Sequence, residues 1–122
     1  MGGKFFKCWI FVALILLGML GGPAIAVAQT AIYNTCTPNA VGVFTNRVYV
    51  LCAAQAPGTP FIQFAVSTSD SGMAARFLSA FITAKVTTKS LKITYFPSDL
   101  SGAAYGCEIS NCRPISGVEI QP

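Results

Sequence analysis

Few side chains in this sequence could do chemistry. It has no histidine and only four carboxylates, Asp70, Asp99, Glu108 and Glu119. Without an imidazole there is no Ser-His-Asp or Cys-His arrangement and no histidine metal ligand. A pair of carboxylates could serve as the acid and base of a glycosidase. Yet Asp70 reads as a helix cap and Asp99 as a turn residue, which leaves Glu108 in a cysteine-bounded loop and Glu119 on the outer face of a strand. Neither G-x-x-x-x-G-K nor G-x-G-x-x-G occurs, so no phosphate loop is expected. The sequence thus points away from an enzyme, and no cofactor is expected. Tyr95, Phe96 and Tyr105 lie near one loop and would suit stacking on a sugar ring, which makes them the candidate ligand-binding residues. The competing reading is that aromatics near a strand end simply pack in the core.

The cysteines carry the clearest chemistry. Cys8 lies in the leader, which leaves Cys36, Cys52, Cys107 and Cys112, an even number suited to disulfides in an oxidising compartment. Four cysteines allow three pairings. Spacing favours Cys107 with Cys112 and therefore Cys36 with Cys52. Loops of these sizes stabilise by roughly 2 and 3 kcal/mol in the chain-entropy model. Zinc ligation is disfavoured, because histidine is absent and Cys107 and Cys112 are not in C-x-x-C spacing.

Residues 1–28 have the layout of a secretory signal peptide: Lys4 and Lys7, an apolar run from Trp9 to Leu20, then Gly21-Gly22-Pro23 and an A-x-A cleavage site ending at Ala28. The alternative, a membrane anchor, needs about 20 apolar residues and no breaker directly after them. Cleavage leaves residues 29–122 as a single small domain, secreted or periplasmic and free of the membrane. Six basic residues then face the four carboxylates, a net charge of +2. That is too weak a field to indicate nucleic acid.

These residues must be positioned by a mainly β scaffold. Met73, Phe77, Ala80, Phe81 and Ala84 recur at spacings of three and four, with Leu78 and Ile82 widening the stripe, and predict one helix over 70–85. Ser69 or Asp70 would cap its start, and Lys85 suits its negative end. A helix of about four turns needs a sheet to pack against, so Phe77 and Phe81 are expected in the core. Strands are predicted over 41–44, 48–52, 61–67, 91–95 and 115–121, with a bulge at Gly117 in the last. Residues 56–60 and 98–106 read as loops, the second long enough to move or to line a site. The order βββαββ is that of an OB-fold-like, five-stranded, partly open barrel stapled by disulfides. A flat antiparallel sheet covered by the helix is the runner-up.

Gly58-Thr59-Pro60, Phe64-Ala65-Val66-Ser67, the helix with Phe77, Ser90-Leu91-Lys92-Ile93 and the closing Gly106-Cys107-Glu108-Ile109-Ser110-Asn111-Cys112 together resemble the B subunits of subtilase-type and typhoid-type AB5 toxins. They are also similar to the wider set of small exported bacterial OB-like proteins. The likeness runs from about Cys36 to the end of the chain. The second cysteine of the family's mid-chain pair falls where this chain has Phe64-Ala65, so Cys36 would supply the partner. The resemblance implies a non-enzymatic module that recognises a glycan or protein at the barrel rim, over 54–60 and 98–106, and a homo-oligomer, a pentamer if it is toxin-like. The alternative is a secreted or envelope structural protein with no dedicated ligand.

Overall fold

Asp70 opens the helix as the sequence predicts: its side chain accepts a hydrogen bond from the Met73 amide at 3.0 Å, and α1 (Ser71–Val86) follows with Lys85 in its last turn. The computed structural model describes Gly22 and residues 29–122. The signal-peptide reading of residues 1–28 therefore lies outside the described residues. Among them, no helix is long and apolar enough to cross a membrane.

Among the described residues the domain is mainly β, with one α-helix and two disulfides. Its strands are β1 (Ile32–Cys36), β2 (Pro38–Val43), β3 (Arg47–Cys52), β4 (Gln63–Ser67), β5 (Leu91–Tyr95) and β6 (Cys112–Ile120), and they form one sheet in the order β1-β5-β6-β4-β3-β2. All neighbours are antiparallel except β4 and β6, which run parallel at Gln63↔Cys112, Phe64↔Arg113 and Ala65↔Pro114. Strands at opposite ends of the order are thus consecutive in the chain, with only Thr37 between them.

The expected count of five strands is therefore corrected to six, with four strands before the helix. The strand that sequence reading passes over is β1, IYNTC, whose inward residues are Asn34 and Cys36. A polar residue at the inward position removes the alternation of hydrophobicity that marks a half-buried strand. Its partner β5 shows that alternation in full, with Leu91, Ile93 and Tyr95 buried and Lys92 and Thr94 half-buried. The last strand begins at Cys112 and not at Ile115. Pairing jumps from Thr94↔Gly117 to Tyr95↔Ile115, which leaves Ser116 as the extra residue beside the glycine predicted to carry a bulge.

Phe81 and Ala84 of α1 are fully buried and pack with Val48, Val50, Phe64, Val66, Leu91, Ile93 and Tyr95 from the strands. Phe77 is half-buried against the same cluster. The apolar stripe is narrower than expected, because Met73 and Ile82 are exposed and Ala74 takes the buried place in the first turn. A second, smaller cluster lies where the Cys107–Cys112 disulfide and Tyr105 cover Ala65, so Ala65 is buried although it points away from the main core. Residues 98–106, expected as a loop, contain a 3-10 helix at Ser101–Tyr105 that ends on Gly106 in the left-handed region at φ 86°.

Candidate functional site

The two disulfides join the partners that spacing favours. Cys36–Cys52 ties the end of β1 to the end of β3 with Cα atoms 5.2 Å apart, and Cys107–Cys112 closes the short loop before β6. The Ala53 amide then donates to the Thr37 carbonyl at 2.8 Å. Beyond that point β1 and the chain leaving β3 separate. The opening between them is a groove of about 510 Å³ lined by Ile32, Tyr33, Asn34 and Thr35 on one side, residues 54–57 on the other, and Tyr95. This volume lies within the range of about 300–1,000 Å³ typical of ligand pockets.

Both walls are firmly built. The loop wall knits itself together: the Ala56 amide donates to the Phe61 carbonyl at 2.9 Å, and the Thr59 amide and hydroxyl both donate to the Ala56 carbonyl at 3.0 Å. The Phe61 amide donates in turn to the Thr59 hydroxyl at 3.2 Å, and Gly58 supplies the positive φ of 73° that the turn requires. The connection between β3 and β4 is therefore a hydrogen-bonded turn, where the Pro and Gly content of residues 56–60 predicts a loop. Its outer side borders a second, more open depression lined by residues 55–60.

The opposite wall is an edge strand. Among the described residues its only ladder is with β5, from Ile32↔Tyr95 to Cys36↔Leu91. At its centre Asn34 is 8% exposed, and its amide nitrogen is buried with no hydrogen-bond partner among the described residues. A buried polar group left in that state costs about 1–3 kcal/mol. Tyr33 is 69% exposed, and the Lys92 ammonium sits 4.5 Å from the centre of its ring. Among the described residues, no carboxylate, lysine, arginine or cysteine lines the groove. It offers hydrogen bonding and apolar contact.

The three aromatic residues expected to bind ligand are not brought together. Tyr95 is 1% exposed and packs against Phe64 at 4.9 Å and edge-on to Phe61 at 6.1 Å, so the little of it that remains accessible forms the groove floor. Phe96, the next residue, is half-buried outside the groove lining. Tyr105 is half-buried with Tyr49 and the Cys107–Cys112 disulfide in the second cluster. There its carbonyl accepts from Arg47 Nη1 at 3.2 Å, and the Arg47 guanidinium lies 4.2 Å over the Phe44 ring. Of the two expected rim segments, 54–60 borders the groove and 98–106 does not.

The carboxylates are dispersed. Asp70 caps α1, Asp99 Oδ1 accepts from the Ser101 amide at 2.9 Å to start the 3-10 helix, and Glu108 and Glu119 are exposed. Sequence reasoning missed Asn34 and a second important polar residue, Arg113. Nothing in IYNTC or CRPIS distinguishes an inward polar side chain from a solvated one.

Burial raises the Tyr95 phenol above its ordinary 10.0, against a smaller lowering from hydrogen bonding with the Thr59 side chain and from the Arg113 charge. A phenol with a raised native value favours the folded state fully below pH 10 and loses that contribution as the pH climbs past it. Melting temperature should therefore fall as the pH rises above 10 and through the raised native value of the phenol. The slope should be shallower in Tyr95→Phe, with Tyr105, also raised by burial, accounting for part of the remainder. An unchanged slope in that variant would remove Tyr95 as the titrating group.

Comparison with protein-family models, curated proteins and solved structures finds no match to this chain.

Proposed function

We propose that this protein is an exported, non-enzymatic binding module whose ligand sits in the groove between β1 and residues 54–57. One observation carries the reading: the groove is lined at its centre by Asn34, one of two side chains, with Asn111, that hold a buried polar atom unpartnered among the described residues. An apolar residue of similar volume would fill the same space without the penalty, and a protein tolerates such a penalty where a ligand relieves it.

The scaffold we propose is an OB-type barrel. If residues 32–43 count as one strand bent at Thr37, the six strands become five, and the first pairs with both the second and the fourth through β2–β3 and β1–β5. The parallel contact of β4 with β6 then falls between the third and fifth strands. The resemblance to toxin B subunits brings glycan and protein as the ligand classes. The two disulfides are compatible with a place outside the cytoplasm.

The oxidised protein should retain a ligand on an array of glycans and short peptides, and Asn34→Leu should weaken that binding at least tenfold. The same variant should be more stable than the parent by about 1–2 kcal/mol, because it removes an unsatisfied buried donor. Equal retention by parent and variant, or no retention on either array, would overturn the assignment. Light scattering on the eluting protein separates a toxin-like ring from a monomer.

A further inference from the structure

The proposed groove is defined by backbone as much as by side chains, and this identifies the chemistry of its occupant. In an antiparallel pair only alternate residues exchange N–H and C=O bonds with the neighbouring strand. β1 has β5 on one side alone, so about half of its backbone groups point away from β5, toward the groove. Among the described residues, the last backbone bond joining the two groove walls is that of Ala53 to Thr37, at the disulfide-tied end. From there outward, Thr35 to Ile32 form an unpaired edge of four residues, about 13 Å long at the rise of a strand.

Building on the binding-module reading, we propose that this groove takes an extended, uncharged polypeptide segment of a partner protein, which adds as a strand to the free edge of β1. Three features select a peptide over a sugar. The available donors and acceptors repeat at strand spacing along β1, as main-chain recognition requires. The wall opposite is Ala54, Gln55, Ala56 and Pro57, small and neutral, which suits short side chains projecting from alternate positions. The lining offers little aromatic surface for a sugar: Tyr95 is 1% exposed, and the exposed Tyr33 has the Lys92 ammonium over one face of its ring. With no charge among the lining residues, the segment gains nothing from acidic or basic side chains.

The test uses the oxidised protein against an array of uncharged eight-residue peptides and, in parallel, a glycan array. The tightest peptide is then remade in two versions, N-methylated at odd or at even positions. One version should bind at least tenfold more weakly and the other nearly as well as the parent, because only alternate amides of an added strand face its neighbour. Amides of residues 32–35 should gain at least tenfold protection from hydrogen exchange when the peptide is bound. The inference is overturned if both methylated versions bind like the parent, or if protection appears on α1 or the β2–β3 hairpin. It is also overturned if protein concentration alone protects residues 32–35, since a second copy would then be the occupant. A glycan that binds in an Asn34-dependent way while no peptide does would sink the strand-addition inference and leave the binding-module reading standing. With neither ligand, both fall.

Discussion

Replacing Arg113 with methionine should lower the stability of the oxidised protein by about 3–5 kcal/mol, a large part of the roughly 5–15 kcal/mol available to a small domain. Arg113 is 8% exposed at the start of β6. Its Nε donates to the Pro97 carbonyl at 2.6 Å, and its Nη1 donates to the Ile109 carbonyl at 2.7 Å and the Cys112 carbonyl at 2.6 Å. The guanidinium also lies 3.9 Å over the ring of Phe61. One side chain thus joins the end of β5, the Cys107–Cys112 loop and the residue on which the groove loop closes. Burial lowers its pKa, opposed by the nearby Asp99 and Tyr95, but a guanidinium remains charged throughout the range in which a protein is handled.

Methionine would fill much of the volume and leave three carbonyls without their donor. Hydrogen bonds to a charged group are worth about 1.5–3 kcal/mol each, and they are not additive, so the summed loss stays within the range given. Lysine is a sharper control than methionine. It keeps the charge but cannot span three carbonyls with a planar fork, so Arg113→Lys should recover less than half of the loss. Urea denaturation of the three proteins gives the comparison. A loss under about 1 kcal/mol for methionine would show that the three carbonyls are served by water and that Arg113 is not a clamp.

The second large effect concerns the disulfide at the closed end of the groove. Exchanging Cys36 and Cys52 together for alanine should cost about 3 kcal/mol, against about 2 kcal/mol for the Cys107 and Cys112 pair, because the loops they close span 16 and 5 residues. For a domain of this size the first loss corresponds to a fall of roughly 12–24 °C in Tm. The two pairs should also differ in function. Cys36–Cys52 fixes where β1 parts from the loop wall, so its removal should weaken groove binding even at temperatures where the variant is folded. Removal of Cys107–Cys112, which lies with Tyr105 over Ala65, should leave binding near that of the parent when both are folded. Calorimetry and peptide binding on the two double variants provide the check. Equal losses of binding would mean that the groove depends only on global stability.

Local physics made much of the scaffold legible in the sequence. The recurrence of Phe77, Phe81 and Ala84 specifies a helix and its buried face, Asp70 its start, and strict alternation in Leu91, Ile93 and Tyr95 a strand with one side in the core. Loop length is also a property of the chain, and it favours Cys107 with Cys112 and so Cys36 with Cys52, the pairing that the fold adopts. Tertiary contact decided the rest. β1 is a strand because β5 and the Cys36–Cys52 disulfide hold it, not because IYNTC alternates in hydrophobicity. Asn34 and Arg113 are buried by partners distant in the chain, and a polar side chain carries no local mark of whether water or carbonyl oxygens will surround it. The sugar-stacking trio dispersed for the same reason: Tyr95 and Phe96 are adjacent in sequence, but successive side chains at a strand end leave on opposite faces, and Tyr105 is drawn to the disulfide beneath it. Composition and periodicity thus determined a disulfide-stapled, mainly β domain around one helix. The groove exists only through the divergence of β1 from the chain leaving β3, a relation between segments about 20 residues apart that no local pattern encodes.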